Sequence, residues 1–383
     1  MTISSGTDNI ITALEQNNRV SEVYLLNLAV RQLEKVLASM QVPFPELTVL
    51  QLVSNDEIPP VIPDSLLDGS APCLRYFSLS GIPFPGLPKV LLSATNLVEL
   101  WLYNIPHSGY ISPQAMVALL SVLSSLERLS LHFQSPQSRP DWERQSLPPP
   151  NCSVIPALNF FRFKGVTEYS EELVTRINTP QLNYMDINFF NQIDFDCRRL
   201  AQFINRTPKL RAPDGAQVRF FDTTARVDLL YQTPKFGLNR FLAFTISCRE
   251  VNWQLSSIEQ VCNFLLSLSM VEDLYIEHRY SKLVWKDDVI QNSLWLQLLR
   301  SFTAVKNLFL SKQFAPGIAA ALQELVGSRI TEVLPSLQNI FVEGLEPSGP
   351  FRENIEPFVA ARQLSDYPIA VSDWGSNSNI KST

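Results

Sequence analysis

The sequence predicts an α/β solenoid: a curved stack of strand–helix units, with a parallel sheet on the concave side and helices on the convex side. Three observations predict it. First, an apolar phrase, L-x-x-L-x-L with Val, Ile, Phe or Met in place of Leu, recurs along the chain. It reads Leu47-Leu50-Leu52, Leu74-Phe77-Leu79, Leu97-Leu100-Leu102, Leu126-Leu129-Leu131, Leu158-Phe161-Phe163 and Leu182-Met185-Ile187. Later copies are Val271-Leu274-Ile276, Val305-Leu308-Leu310 and Leu337-Ile340-Val342; Val20-Val23-Leu25 opens the series, and Gly215-Val218-Phe220 and Phe241-Phe244-Ile246 are weaker copies. Second, most intervals hold a segment with the 3.6-residue period of an amphipathic helix. Third, Pro45, Pro72, Pro156, Pro180, Pro208 and Pro335 lie one or two residues before a strand entry. A ring that cannot continue a helix and favours extended neighbours suits a helix-to-strand junction.

The elements follow in order. Residues 1–19 form an N-terminal helical cap around IITALEQN (10–17), and residues 20–350 form the solenoid. Its 12 copies recur about every 29 residues, at the long end of the leucine-rich repeat period. In each copy the last two apolar positions are two apart and share one strand face; the residue between them points the other way. Helical segments are VRQLEKVLASM (30–40), QAMVALLSVLSSL (114–126), EELVTRI (171–177), IEQVCNFLLSLS (258–269), LWLQLLRSF (294–302) and IAAALQELV (318–326). Units of this length stack with parallel strands and right-handed crossovers. Strands are ~4.8 Å apart and helices ~10 Å wide, so the stack curves into a horseshoe. A Pro/Ser-rich stretch over 134–156 reads as a projecting loop, and 208–240 is the least repetitive part. A C-terminal cap over 351–372 holds the helix FRENIEPFVAARQL (351–364), which Pro357 should bend or shorten, and 373–383 reads as a disordered tail.

Composition narrows the function. Of 383 residues, 45% are apolar and 18% charged, enough for a large core and too little charge for a disordered chain. The net charge of −6 argues against nucleic acid as a partner, and 13 Gly beside 27 Pro disfavours glycine-loop nucleotide folds. The five cysteines are an odd, widely spaced set without C-x-x-C, which reads as free thiols in a reducing compartment. MTISSGTDNIITALEQ has no basic n-region or long apolar run, and no stretch approaches the ~18 apolar residues of a membrane span. The expectation is an intracellular monomer, cytoplasmic or nuclear, with no membrane partner.

Catalytic patterns are missing. His107, His132 and His278 are the only histidines, and they fall in no H-E-x-x-H or zinc spacing. No G-x-S-x-G, P-loop or G-x-G-x-x-G occurs, and the pairs Asp287-Asp288 and Glu171-Glu172 read as solvated surface. The reading is a non-enzyme with no cofactor and no metal. Solenoids bind through equivalent positions stacked along the sheet. Here the column between the inward strand positions runs Tyr24, Gln51, Ser78, Trp101, Ser130, Arg162, Asp186, Arg219, Thr245, Tyr275, Phe309 and Phe341. Trp101, Tyr103, His132, Arg162 and Lys164 form the first candidate patch, with Arg219 extending it and Asp186 set between two of its cations. Aromatic and Arg side chains of this kind favour an anionic or aromatic peptide segment. Tyr275, Phe309 and Phe341, rimmed by Asp273, Glu277 and Glu343, are the alternative patch.

The phrasing also carries a family likeness. GIPFPGLPKVLLSATNLVELWLYNIPHSGYISPQAMVALLSVLSSLERLSLHF (81–133), WLQLLRSFTAVKNLFLSKQFAPGIAAALQELVG (295–327) and TEVLPSLQNIFVEGLEPSGP (331–350) resemble the leucine-rich-repeat region of the F-box proteins of mushroom-forming (basidiomycete) fungi. The resemblance runs over nearly the whole chain. It implies the substrate-recognition part of an F-box ubiquitin-ligase receptor, with an unidentified protein as substrate. The F-box itself is expected to be lacking, because the first repeat strand begins at Val20; a Skp adaptor is then a partner only if an F-box lies upstream. The alternative is a stand-alone leucine-rich-repeat scaffold or inhibitor with no ubiquitin link.

Overall fold

The computed structural model describes residues 7–374, apart from 57, 85–88, 138–151, 191–196, 234–236, 249–250, 280–288 and 326–328. The chain divides into two compact units, residues 1–190 with 198–209, and residues 191–197 with 210–383.

In the first unit, strands alternate with helices. The order is α1 (Thr7–Leu14), β1 (Glu22–Leu26), α2 (Val30–Ser39), β2 (Val49–Val53), β3 (Tyr76–Ser80), α3 (Lys89–Ser93), β4 (Glu99–Ile105), α4 (Pro113–Val122) and β5 (Arg128–Phe133). Then come β6 (Ser153–Val154), β7 (Phe160–Gly165), α5 (Thr167–Arg176), β8 (Ile177–Asn178), β9 (Tyr184–Phe189) and α6 (Arg198–Arg206). β1-β2-β3-β4-β5-β7-β9 form a parallel sheet in that order. The repeat phrase is its core: Leu97, Leu100, Leu102, Leu126, Leu129, Leu131, Leu158, Phe161 and Phe163 are all 0% exposed. Strand entries are tied by backbone. The Thr48 carbonyl accepts from Arg75 and Tyr76, the Arg75 carbonyl from Val98 and Glu99, the Val98 carbonyl from Glu127 and Arg128, and the Glu127 carbonyl from Asn159 and Phe160. These groups lie outside the regular strand ladder, so each repeat needs its neighbour to satisfy them. Helix starts are sequence-encoded where a cap is present: Ser112 Oγ accepts from the Ala115 N–H at 3.2 Å, with Pro113 in the first turn.

Part of the stretch read as a projecting loop is ordered. Ser153–Val154 pairs with Ile177–Asn178, Ile155 is 0% exposed, and the Cys152 thiol donates to the Thr175 carbonyl at 3.2 Å. An apolar residue at 155 gives this segment something to bury, which the Pro/Ser content hid. The remainder, 138–151, lies outside the described residues.

The second unit departs from the expected parallel arrangement. It contains β10 (Gly215–Phe220), β11 (Thr224–Thr233), β12 (Gly237–Ser247), α7 (Val251–Phe264), β13 (Asp273–His278), α8 (Val289–Arg300), β14 (Asn307–Leu310), α9 (Ala315–Gln323), β15 (Asn339–Val342), α10 (Pro350–Leu364) and β16 (Ala370–Asp373). Its sheet order is β12-β11-β10-β13-β14-β15-β16. β10 and β13 to β16 are mutually parallel, but β11 runs antiparallel to both β10 and β12. The cause is local. A tight turn, in which Phe221 donates to the Thr224 carbonyl at 2.8 Å, replaces a crossover helix. The runs TARVDLLYQT and GLNRFLAFTIS then alternate as long strands. Val218, Phe220, Phe241, Phe244 and Ile246 are still core residues, each at most 1% exposed.

The C-terminal boundary also moves. α10 runs through Pro357 to Leu364. Ala370–Asp373, partly assigned to the tail, is a strand paired with β15, and the Trp374 N–H donates to the Val342 carbonyl at 2.9 Å. Residues 375–383 lie outside the described residues. Among the described residues no helix is long and apolar enough to cross a membrane.

Candidate functional site

In the first unit, strand alternation brings the predicted patch together on the outer sheet face. Trp101, between buried Leu100 and Leu102, points outward, and its register neighbours are Ser78 and Ser130. Ser130 is 0% exposed. A side chain this small on β5 lets the indole lean across it towards β7, where it meets Phe160 at 5.7 Å between ring centroids. The Trp101 N–H donates to Glu99 Oε2 at 2.8 Å, which sets the ring orientation. Tyr103 stacks on Trp101 at 5.8 Å and meets His132 edge-on at 4.7 Å. The register slips between Leu102 and Ile105, where Asn104 adopts φ +48°, a left-handed conformation that Asn tolerates better than most residues.

Phe160 and Tyr184 continue the row, stacked at 4.6 Å with rings 3° from parallel. The guanidinium groups of Arg162 and Arg128 lie 5.4 and 5.7 Å from the Phe160 centroid. Arg162 Nε is 3.6 Å from the largely buried Asp186 carboxylate, so much of its charge is answered within the protein. Lys164 sits 5.6 Å from the Phe190 ring. The result is a rigid aromatic surface edged by cations.

His132 is held neutral. Burial first, and then the positive charges of Arg162 and Lys164, lower its pKa from 6.5 to about 4. Ser130 Oγ lies 3.3 Å from Nε2. The folded pKa is below the unfolded one, so the unfolded chain binds the proton more readily between pH 6.5 and 4. Stability from this site is therefore complete above pH 6.5 and falls as pH drops towards 4, by up to about 3 kcal/mol. Urea unfolding of the protein and of His132→Asn at pH 7 and pH 4.5 checks this: the wild type should lose the larger stability. Equal losses would place the ring in a solvated setting.

Arg219, expected to extend this patch, belongs to the second unit, where it bonds Asp228 on β11. There Asp228, 0% exposed, also takes Arg226 Nε at 2.8 Å and lies 3.6 Å from Arg240 Nη1. The alternative row is present in the second unit. Tyr275, Phe309 and Phe341 stack at 4.3 and 4.7 Å in consecutive register. Tyr275 is only 8% exposed, because Trp374 lies over it at 6.0 Å and over Phe309 at 5.6 Å. Asp273 accepts from Asn307, which accepts from Asn339, at 2.7 and 2.8 Å, a polar ladder beside the rings.

Glu99, Arg128, Phe160 and Tyr184 are neighbours within this patch that the sequence pattern did not single out. They occupy the strand position two residues before the scanned column, and the same alternation exposes them. The Glu171-Glu172 pair is a correction: both are at most 9% exposed, not solvated. Glu171 accepts from the Arg199 and Leu200 N–H groups at the start of α6, and Glu172 pairs with Arg176 at 3.0 Å and with Gln114. A carboxylate that caps a neighbouring helix and one inside an ion pair are stable when buried. Asp287-Asp288 lies outside the described residues. Among the described residues no group of three His, Cys, Asp or Glu side chains is placed to hold a metal ion. No family model matches this chain, and no curated protein matches it significantly.

Proposed function

We propose that this chain is a leucine-rich-repeat solenoid of about 12 repeats, curved as a horseshoe with its sheet on the concave side, and that it is a non-catalytic protein-binding module. One observation carries the reading: the continuous row Tyr103–Trp101–Phe160–Tyr184 on an outer sheet face, edged by Arg128, Arg162 and Lys164. Aromatic and Arg side chains dominate the energetic centres of protein interfaces. These are already fixed by stacking and by the Trp101–Glu99 hydrogen bond, so binding orders few of them further. The fitting partner is an extended protein segment with an aromatic or apolar side chain and a nearby carboxylate. The resemblance to F-box receptors makes that partner a substrate presented for ubiquitin transfer.

Proximity labelling followed by mass spectrometry, with the wild type and a Trp101→Ala/Arg162→Glu double variant, tests this. Neither side chain belongs to the core row, so the variant should fold while losing its labelled partners, with a weakening of at least about tenfold. An unchanged partner set from a folded double variant would remove the patch from consideration. Pull-down with the Skp adaptor tests the ubiquitin link separately.

A further inference from the structure

The edge strand β16 is seated differently from the other strands of the second unit. β13, β14 and β15 turn Leu274, Ile276, Leu308, Leu310, Ile340 and Val342 into the core, each at most 3% exposed. In β16, Ala370 and Ser372 are exposed, and Val371 and Asp373 are only half-buried. Residues 363–368, which tether it to α10, are exposed throughout, and of residues 363–374 Ile369 alone is buried. The strand is held chiefly by backbone hydrogen bonds and one ring. The Ala370 N–H donates to the Gln338 carbonyl and the Trp374 N–H to the Val342 carbonyl, both at 2.9 Å. The parallel register sets the Ser372 N–H between them, facing β15. The Asp373 carboxylate accepts from the Leu345 N–H at 3.3 Å. The Trp374 indole then crosses the sheet face to lie 5.6 Å from Phe309 and 6.0 Å from Tyr275. An element with so few buried side chains opens locally at low cost, and its release leaves the core rows of β13 to β15 intact.

We propose that the β15 edge and the Tyr275–Phe309–Phe341 face form a second protein-binding groove, which takes an extended partner segment by strand addition and is occupied at rest by Ala370–Trp374. The resting occupant shows what the groove accepts. A partner segment runs parallel to β15 and donates to the carbonyls of Gln338 and Val342 and to that of Ile340 between them. In this mode the main chain supplies affinity and the side chains supply specificity. An acid followed by a tryptophan, as in Asp373-Trp374, meets the Leu345 N–H and lays a ring over the stack. The stack is preset: Tyr275 lies within 9° of parallel to Phe309, and Phe309 within 11° of Phe341, so little side-chain freedom is lost on binding. A tethered occupant competes at high effective concentration, so an outside segment binds weakly until β16 is released. The groove lies wholly in the second unit and rests on nothing in the Trp101 patch.

Fluorescence anisotropy of a labelled peptide, PIAVSDWG, the sequence of residues 368–375, tests this on the full chain. Ser372→Pro removes the central N–H of the β16 ladder and should free the groove. Trp374→Ala keeps the ladder and removes the ring that covers the stack. Each variant is expected to bind PIAVSDWG at least about tenfold more tightly than the wild type does. The peptide PIAVSDAG should bind the variants at least about tenfold more weakly than PIAVSDWG. In Ser372→Pro, hydrogen exchange should rise at the Ile340 and Val342 N–H groups, which the register turns towards β16, and fall again when PIAVSDWG is added. Three results would each overturn the proposal: no tighter binding by either folded variant, equal affinity of the variants for the two peptides, or exchange at Ile340 and Val342 that bound peptide leaves unchanged. Should Ser372→Pro fail to fold, the two peptides on Trp374→Ala decide.

Discussion

Leu129→Asp is expected to abolish cooperative folding of the first unit. Leu129 is 0% exposed, and its register neighbours across the sheet are Leu100 and Phe161, both also 0% exposed. An aspartate there must either ionise with no counter-charge or take up a proton and still leave its oxygens without donors. The cost is several kcal/mol, to which the loss of the leucine's own packing adds about 2–5 kcal/mol. A domain is stable by only about 5–15 kcal/mol, so the two together consume most of it. Leu129→Met, nearly volume-conserving, should cost less than about 1.5 kcal/mol. Circular dichroism on heating reads both. A Leu129→Asp protein that melts as the wild type does would show that Leu129 does not face the core.

Arg362→Met should destabilise the second unit by about 3–5 kcal/mol. Arg362 lies on α10 and is 0% exposed. Its guanidinium donates to the carbonyls of Ile330, Leu334, Pro335 and Leu337, at 3.4, 3.2, 3.3 and 3.2 Å, and lies 5.8 and 5.5 Å from the Phe358 and Tyr367 rings. Four carbonyls thus share one side chain at the approach to β15, and of these Leu334's also accepts from the Leu337 N–H at 3.1 Å. Leu334, one of the acceptors, has φ +48°, a conformation a leucine rarely adopts without outside support. Methionine fills similar volume and supplies no donor, so the turn loses its clamp while the packing is largely kept. Arg362→Lys keeps the charge but not the fork, and should fall between the two. Urea unfolding reads the difference, and hydrogen exchange should locate it at 330–340. A loss under about 1 kcal/mol would mean that water satisfies these carbonyls as well as the arginine does.

The strand positions were legible in the sequence, for a local reason. A sheet with one face against helices demands alternation, and each L-x-x-L-x-L copy records it within six residues. From Leu47 to Val342 the residues of that phrase that enter strands are core residues. The outward orientation of Trp101, Tyr103, Arg162 and Lys164 follows from the same rule. Helices such as α4 and α7 were legible through their 3.6-residue period, although α7 begins at Val251, seven residues before the segment the period marks.

Direction and partnership were not legible. Phe241-Phe244-Ile246 has the repeat's spacing, and its residues are buried as the repeat requires. Yet its neighbour is β11, a strand outside the repeat pattern that runs antiparallel to both β10 and β12, because a tight turn after Phe220 sends the chain straight back; β12 itself keeps the direction of β10. Glu171 and Glu172 look solvated in a sequence, since a carboxylate's fate depends on whether a helix start or an arginine arrives from elsewhere. Arg219 sits in the same column as Arg162, but it is bound by a carboxylate on a strand the repeat pattern does not contain. Trp374 looks like tail, and it packs over Tyr275 and Phe309 because β16 pairs with β15. By itself the sequence determined the periodic core and the face each strand residue takes, since both are set by neighbours a few residues away. Only the tertiary structure decided strand direction, burial of charge and the pairing of cations, since each depends on groups that the chain brings together from far apart.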